Sequence, residues 1–396
     1  MRMILSALLA ATLAALPARG FDTAAEAAFV IDHGTGAVLL AKDADTPRPP
    51  ASMSKLMTLL MMFEAIEDGR LGLDDRFPVS ARAQAMGGST MWLDTTDRVR
   101  VEDLILGIIV QSGNDACVVA AEALSGSEEA FAAQMTRRAR ELGMTASTFL
   151  NSSGWPEPGH EMSARDLVTL ATILIDRFPQ YYPYFAYEEF AFDGRVPSNH
   201  GNRNPILGQG IGADGLKTGH TQEAGFGLVG SAIRDGRRVT FMITGLETAQ
   251  ERATEAERIV NWAFREFETR ALYAAGETVA EAEVWLGAED RVAMSVAEDV
   301  ALTVPVTGAE VEAHVRYSGP VPAPIAAGQE VAELVLTVEG MAPITVPLIA
   351  SAEVAEGGPL TRIGGAFGTI GRWVWAQVAP SLGLGSEDAP GATAAG

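Results

Sequence analysis

The spacing of apolar positions in the first part of the chain predicts strands at both ends of a region that is otherwise helical. Mainly apolar runs at 28–32 and 37–40 flank a Gly-rich turn sequence and predict a β-hairpin. Three- and four-residue spacing predicts helices over 52–66, 101–124, 164–178 and 251–267. Further strands are predicted from Asp214 onward, at 225–232 and at 238–246. These elements indicate an α/β domain over about 22–270, with a sheet built from the N- and C-terminal segments.

A different pattern begins after Tyr273, where apolar and polar residues alternate with a period of two. The alternating runs lie at 292–296, 300–304, 311–317, 334–338 and 344–348, with Gly and Pro between them. Period-two alternation in short runs predicts a small antiparallel β-domain over about 275–350. It carries no recognisable catalytic constellation.

The next pattern is helical again and has an unusual charge. Apolar residues recur on one helical face at 360, 363, 367, 370 and 373. Two arginines and two tryptophans in this segment, within an otherwise acidic protein, favour an amphipathic helix that lies on a membrane surface. Four glycines weaken such a helix in water, and a helix docked on the protein or a partly disordered tail is the alternative. Residues 381–396 are predicted to be disordered.

The N-terminus has the pattern of a secretory signal peptide. Arg2 precedes the apolar run 3–16, and small residues stand at the positions expected for cleavage after Gly20. The run is shorter than the roughly 18 residues of a transmembrane helix. We therefore expect a sequence of five segments: signal peptide 1–20, catalytic domain 21–272, β-domain 273–352, membrane-associating segment 353–380 and disordered tail 381–396.

Composition excludes several classes of function. A net charge of -22 argues against a nucleic-acid partner, because phosphate binding requires a basic surface. The single cysteine, Cys117, allows neither an intramolecular disulfide nor a thiolate metal cluster. The five histidines are scattered, with no pair at helical ligand spacing, so we expect no metal and no other cofactor.

Lysine is rare in this chain. Of 29 basic residues only Lys42, Lys55 and Lys217 are lysines. An arginine keeps its proton in a protein, whereas a lysine amine can release it. The neighbours of Lys55 and Lys217 favour a functional amine at both positions. An arginine-rich composition that left three lysines at random is the alternative, and Lys42 fits it.

Ser52 and Lys55 stand three residues apart at the start of a predicted helix, so both project from one face. A serine hydroxyl becomes a useful nucleophile when a base removes its proton, and a neutral lysine amine can do so if burial or nearby positive charge lowers its pKa. Ser54 is the competing nucleophile, but it points to a different face. A capping serine with a surface lysine is the structural alternative.

Two further motifs follow in the chain. Ser112-Gly113-Asn114 interrupts a helical pattern, where a turn can present a hydroxyl and an amide into a cleft. Lys217-Thr218-Gly219 enters a predicted strand, where the lysine and threonine could hold a carboxylate and Gly219 would allow close approach of substrate. An ordinary interhelical turn and an edge-strand lysine are the alternatives.

In this order the three motifs resemble those of the serine penicillin-recognising enzymes. Longer matches are similar to the low-molecular-mass penicillin-binding proteins that are D-alanyl-D-alanine carboxypeptidases of the peptidase S11 type; they lie at 50–55, 111–116, 163–166 and 215–221. The resemblance runs over about 25–270, and the β-domain and amphipathic tail match that family's layout. It implies a serine β-lactamase/DD-peptidase-like α/β (α+β) catalytic domain, a small antiparallel all-β C-terminal domain and an amphipathic C-terminal helix.

The resemblance also implies a substrate and a location. The substrate is the pentapeptide stem of peptidoglycan ending in D-Ala-D-Ala, and β-lactam antibiotics bind covalently because they mimic the scissile amide. The enzyme would be exported to the periplasm and attached peripherally to the outer face of the inner membrane.

The family's roles map onto this chain residue by residue. Ser52 attacks the penultimate carbonyl and Lys55 accepts its proton. Ser112 passes a proton to the departing D-alanine amine with help from Lys217, and Asn114 orients the substrate amide and Lys55.

Substrate-binding roles follow in the same way. The backbone N–H groups of Ser52 and His220 form the oxyanion hole. Lys217 and Thr218 bind the terminal carboxylate, beside Gly219. Arg203 and Arg252 are candidate carboxylate or supporting partners, and surface arginines are the alternative.

Three competing functions share some of these features. A class A β-lactamase uses an added glutamate for deacylation; no Glu-x-x-Leu-Asn-type segment lies between Asn114 and Lys217, and the β-domain is foreign to that class. A D,D-endopeptidase that cuts cross-links would use the same site chemistry. A non-catalytic wall-binding protein with a degenerate site is disfavoured by three intact motifs.

Overall fold

The computed structural model describes residues 21–195 and 197–358. These residues form two compact units that divide between Phe264 and Arg265. The predicted signal peptide 1–20, the amphipathic face at 360–373 and the tail 381–396 lie outside the described residues.

A five-stranded antiparallel sheet forms the centre of the first unit, in the strand order β2-β1-β7-β6-β5. Its strands are β1 (Ala27–Asp32), β2 (Val38–Lys42), β5 (Ala213–Thr221), β6 (Gly225–Arg234) and β7 (Arg237–Leu246). A separate antiparallel pair consists of β3 (Arg76–Pro78) and β4 (Arg98–Arg100). Because β1 pairs with β7, the N- and C-terminal segments meet in one sheet, which confirms the predicted α/β organisation.

Helices cover both faces of this sheet. They are α1 (Lys55–Glu67), α2 (Ala81–Gln84), α3 (Val101–Leu106), α4 (Asn114–Ser125), α5 (Glu128–Glu141), α6 (Ala164–Arg177) and α7 (Ala249–Glu266). Successive strand residues point to opposite faces. On β1, Phe29 packs into the core that contains α1, α4 and α6, whereas Val30 packs into the core that contains α7. The sheet is therefore buried on both sides, with α1 and α4 on the face that carries the candidate site.

The helical stretch that begins at α3 breaks where the sequence predicts. After α3 the chain continues as a π-helical segment, Gly107–Gln111, which ends at Ser112 in a left-handed conformation (φ 57°, ψ 37°). Helix α4 starts two residues later. The break turns the chain and places two polar residues, Ser112 and Asn114, at the same helix junction.

The second unit is all β. Its strands are β8 (Phe267–Tyr273), β9 (Thr278–Trp285), β10 (Arg291–Val296), β11 (Val300–Pro305), β12 (Val311–Arg316), β13 (Val321–Pro322), β14 (Glu330–Val338) and β15 (Ile344–Ala350). A six-stranded sheet has the order β12-β14-β15-β10-β9-β13, and β8 pairs with β11. The pairings are antiparallel except for β9 with β13, which is parallel. Period-two alternation buries Val292, Met294 and Val296 in its core, which confirms the predicted β-domain.

The boundary between the units precedes the one expected at 272/273. Residues Phe267–Tyr273 form β8, whose only strand partner is β11 of the second unit among the described residues. At the other end, Val354 and Glu356 still form bridges with Ile325 and Gly287. Residues 353–358, expected at the start of the membrane-associating segment, are thus tied to the β unit.

Candidate active site

Ser52 lies in a 3-10 turn that leads into α1. The turn spans Ala51–Ser54, and Ala51 has a left-handed φ of 48°. Lys55 follows as the first residue of α1, and its Nζ lies 2.9 Å from Ser52 Oγ. The three-residue spacing therefore brings a hydroxyl and an amine into direct hydrogen-bond contact.

The Lys55 amine is a buried meeting point of three chain segments. It donates hydrogen bonds to Ser52 Oγ, to Asn114 Oδ1 at 2.8 Å and to the Ser153 carbonyl at 2.6 Å, and the residue is 0% exposed. Burial lowers the pKa of Lys55 to about 8; the positive charge of Arg203 acts in the same direction. A neutral amine is thus accessible near neutral pH, and it can accept the serine proton.

A loop outside the three sequence motifs supplies one of these partners. Asn151 Oδ1 accepts hydrogen bonds from the backbone N–H groups of Ser153 (3.2 Å), Gly154 (2.9 Å) and Trp155 (3.0 Å). This turn aims the Ser153 carbonyl at Lys55. The sequence signal for it was an asparagine three residues before a glycine, which is turn chemistry without an indication of the partner.

Ser54, the competing nucleophile, has a different environment. Its Oγ lies 2.8 Å from Nε2 of the buried His160, and the backbone N–H of Leu150 donates to Nδ1 at 3.3 Å. The ring proton is therefore on Nε2. Burial lowers the pKa of His160 to about 4, with a further contribution from the charge of Lys55. Ser54 is 0% exposed, so its hydroxyl cannot reach a substrate.

Ser112 and Asn114 approach the site from the junction of the π-helical segment and α4. The Ser112 hydroxyl is buried and has no hydrogen-bond partner among the described residues. Asn114 donates through Nδ2 to the Gly87 carbonyl at 2.8 Å while its Oδ1 accepts from Lys55. Its carboxamide is therefore fixed in orientation. A buried, unpaired hydroxyl on a left-handed residue is a costly arrangement of the kind that clusters at functional sites.

Strand β5 carries the third motif against the Ser52 turn. A Cβ atom added to Gly219 would lie 3.0 Å from the Pro50 carbonyl oxygen and 3.2 Å from Ala51 Cβ. Glycine is therefore what lets the strand approach the turn so closely. Lys217 is 3% exposed, and its Nζ donates to the Thr218 carbonyl at 3.2 Å. Burial lowers the pKa of Lys217 well below its usual range, and the charge of Lys55 acts in the same direction to a smaller extent.

Two arginines extend this positive region. Arg203 is exposed at the rim and donates to Ser89 Oγ at 2.7 Å, and the buried Arg252 donates to the Arg203 carbonyl at 3.2 Å. Burial lowers the pKa of Arg252 to about 10, and the charge of Arg203 acts in the same direction. Within 21–195 and 197–358, neither guanidinium forms an ion pair with a carboxylate. For Arg252 the surface-arginine alternative is wrong.

The cleft above these residues is open to substrate. It has a volume of about 510 Å³, and its lining includes Ser52, Ser89, Asn114, Trp155 and His220. The amines of Lys55 and Lys217 lie buried beneath it. Over the described part of the chain, no group of three or more His, Cys, Asp or Glu residues is arranged to hold a metal ion.

An activatable serine, a buried lysine beside it and a cationic region along one strand define a serine acyl-transfer enzyme of the penicillin-recognising class. A family model described as D-alanyl-D-alanine carboxypeptidase (peptidase S11) matches residues 12–248. A second, described as the C-terminal domain of penicillin-binding protein 5, matches 267–356. The chain therefore belongs to the D-alanyl-D-alanine carboxypeptidase family, and it is a serine-type carboxypeptidase.

Individual members of this family are similar to the chain over most of their length. D-alanyl-D-alanine carboxypeptidase DacF of Bacillus subtilis is 32% identical over 356 residues, which cover 88% of this chain and 90% of that protein. DacC of Escherichia coli is 34% identical over 350 residues, 86% of each chain. The crystal structure of penicillin binding protein 5 from Haemophilus influenzae matches with a TM-score of 0.77 at 30% identity, covering 85% of this chain and 98% of that one. These matches confirm the resemblance drawn from the motifs.

Gly154 offers a test of the contact between the 151–155 loop and the Ser52 turn. Its φ is +75°, and an added Cβ would lie 1.9 Å from the Ala51 carbonyl oxygen. We expect Gly154→Ala to lose about 1–3 kcal/mol of unfolding free energy from backbone strain alone and to slow the labelling of Ser52 by a fluorescent penicillin. Urea unfolding and labelling rates measure the two effects.

Gly36→Ala is the matched control, because Gly36 has φ +70° with open space around it. It should share the strain but keep the labelling rate of the unmodified chain. Equal labelling by the two variants would show that the loop contact does not matter for acylation.

Proposed function

We propose that this enzyme removes the terminal D-alanine from peptidoglycan pentapeptide stems through an acyl-enzyme on Ser52. The observation that carries the proposal is the 2.9 Å contact between Ser52 Oγ and a buried Lys55 amine whose pKa is lowered to about 8. A positioned general base contributes about 10²–10⁴-fold to such a reaction.

In the acylation step Ser52 Oγ attacks the carbonyl carbon of the penultimate D-alanine while Lys55 Nζ accepts the hydroxyl proton. The developing oxyanion lies between the backbone N–H groups of Ser52 and His220, each worth roughly 3 kcal/mol. The C–N bond then breaks, and the proton that Lys55 took from Ser52 passes by way of Ser112 to the departing amine, with Lys217 assisting, so that Lys55 is neutral again. The free Ser112 hydroxyl and the lowered pKa of Lys217 support this route.

Deacylation restores the enzyme. A water molecule gives a proton to Lys55 and attacks the acyl carbon, the ester bond to Ser52 breaks, and the Oγ atom takes that proton back from Lys55. The same amine thus acts in both half-reactions, which its fixed bonds to Asn114 and Ser153 permit. A β-lactam ring would acylate Ser52 by the first step.

The terminal carboxylate is held by the positive region along β5. Lys217 and Thr218 bind it directly, with Arg203 and Arg252 adding charge. Lys217 and Arg252 are buried, and within 21–195 and 197–358 neither forms an ion pair with a carboxylate. Such cations favour an anionic ligand, because a paired charge costs less than an isolated one. The chain has a net charge of -22, so a concentration of positive charge at one cleft is unusual for this protein and supports binding of an anion there.

We further propose that the enzyme lies outside the cytoplasmic membrane, attached peripherally by its C-terminal segment. The apolar run at 3–16 and the tryptophan-containing amphipathic pattern at 360–373 support this location. Across residues 21–195 and 197–358, none of the helices has the length and apolar character needed to cross a bilayer.

Release of D-alanine from a pentapeptide stem is the direct test of function. We expect Ser52→Ala to lose release and penicillin labelling, and Lys55→Arg to slow both by about two to four orders of magnitude because arginine retains its proton. Lys42→Arg is the control, since Lys42 donates only to the Thr23 carbonyl at 2.9 Å among the described residues. Near-normal acylation by Lys55→Arg would refute the general-base role.

Other outcomes would replace the function itself. Cleavage of a cross-linked dimer but not of the pentapeptide would identify a D,D-endopeptidase. Rapid turnover of penicillin would identify a β-lactamase, and an absence of labelling a wall-binding protein.

The rate of acylation should depend on pH in one direction. Lys55 must be neutral to accept a proton, so with a pKa of about 8 the second-order rate constant for penicillin should rise about tenfold per pH unit below pH 8 and level off above it. Stopped-flow or labelling rates from pH 6 to 9 measure this profile. A flat profile across that range would show that another group removes the proton.

Membrane attachment is tested by sedimentation with anionic vesicles. We expect the chain from residue 21 to 396 to sediment with the vesicles and a chain that ends at residue 358 to remain in solution. Replacing Trp373 and Trp375 by serine should weaken binding without truncation. Equal sedimentation of the long and short chains would show that the C-terminal segment does not attach the enzyme to the membrane.

A further inference from the structure

A second groove adjoins the reaction cleft beyond the C-terminal end of β5. It has a volume of about 310 Å³ and includes Pro49, Pro50 and Pro158 in its walls. The two spaces are contiguous because they share five lining residues: Gly154, Trp155, Pro156, Thr221 and Glu223. The catalytic residues Ser52 and Asn114 line only the reaction cleft.

Trp155 forms the wall between the two spaces. The residue is 44% exposed, and a Cβ added to Gly88 would lie 3.0 Å from the indole ring. The ring therefore rests on Gly88, next to the Gly87 carbonyl that fixes Asn114. An indole held in this way presents a preformed aromatic surface to a ligand, at little cost in ordering.

The charge of the second groove is opposite to that of the carboxylate end. Glu157, Glu161 and Glu223 line it, and its lining contains no lysine or arginine within the described residues. His160, which also lines it, has a pKa lowered to about 4 and is neutral at physiological pH. An exposed indole together with carboxylates is a favourable environment for an ammonium group.

The length of an extended substrate can be compared with the distance along β5 from the carboxylate end of the cleft to the second groove. Strands and extended peptides both rise about 3.3 Å per residue. With the terminal carboxylate at Thr218 and the scissile carbonyl beside Ser52, the residue before the D-Ala-D-Ala pair reaches the level of Thr221. Thr221 is a shared lining residue of both spaces. The side chain of that residue can therefore enter the second groove.

We propose that the second groove binds the side chain of the stem residue that precedes D-Ala-D-Ala and selects one that ends in a free ammonium group. This inference rests on the proposed carboxypeptidase function. The ammonium group lies against the face of Trp155, with Glu157 and Glu223 as its ion-pair partners. The groove thus distinguishes a stem with an unmodified diamino acid from one whose amine is acylated or cross-linked.

Two pentapeptides test the inference directly. They end in D-Ala-D-Ala and differ only at the third residue, which is lysine in one and Nε-acetyllysine in the other. We expect kcat/KM for D-alanine release to favour the free amine about fivefold to tenfold at low ionic strength, and the preference to decline as salt is added.

The double variant Glu157→Gln, Glu223→Gln should bring the ratio of the two kcat/KM values close to one, because glutamine keeps the size of the side chain and removes the charge. Glu257→Gln, at an exposed position of α7, is the matched control and should keep the preference of the unmodified enzyme. A ratio compares two substrates on one protein, so any partial loss of folded enzyme cancels.

The outcomes separate the two proposals. A ratio near one for the unmodified enzyme, or an undiminished ratio for the double variant, would overturn the groove assignment while D-alanine release from both peptides still supports the carboxypeptidase. Release from neither peptide would overturn the carboxypeptidase proposal and this inference with it.

Discussion

The site depends on one buried nitrogen. Lys55 Nζ joins the start of α1, the start of α4 and the 151–155 loop through its bonds to Ser52, Asn114 and the Ser153 carbonyl. A buried ammonium without partners would cost several kcal/mol, so each of the three segments must supply an oxygen at the right place. The same burial that imposes this requirement also lowers the pKa of the amine, because water no longer stabilises its charged form. Structural constraint and chemical activation therefore have a single cause.

Backbone strain gathers around that nitrogen. Ala51 (φ 48°), Ser112 (φ 57°) and Gly154 (φ 75°) are left-handed, and each is adjacent in sequence to a residue that bonds to Lys55 or belongs to a catalytic motif. Conformations of this kind cost about 1–3 kcal/mol each for a residue other than glycine. The residues around them belong to one core that includes α1 and α4, and surroundings packed in this way can hold strained conformations. The site is held in place by the core.

Local sequence patterns predicted most of the helices and strands, but fewer of the contacts in the active site. Hydrophobic spacing located α6 and the alternating strands, because each buries one regular face. It also located α1 and the first strand of the hairpin, whose apolar runs are buried on most sides. The spacing did not predict helix α5, because its apolar stripe is narrow. It did not predict β8, because most of the residues of β8 are exposed and only its pairing with β11 makes it a strand. Short motifs and the family resemblance indicated where chemistry would lie. They could not indicate the Ser153 carbonyl, which is 98 residues from Lys55 in sequence, nor Trp155, because those contacts exist only in the folded chain.

The uneven use of lysine has a practical side. Lys55 and Lys217 are buried, and only Lys42 is exposed among the three. Lys42 is the last residue of β2, which is one edge strand of the sheet, whereas β5, which carries Lys217, is the opposite edge strand. Amine-directed coupling to a dye, a resin or a sensor surface would therefore address one lysine side chain and hold the enzyme with its cleft turned away from the support. The other basic residues are arginines, which amine-directed reagents do not modify. The immobilised enzyme would therefore have one orientation without an engineered tag.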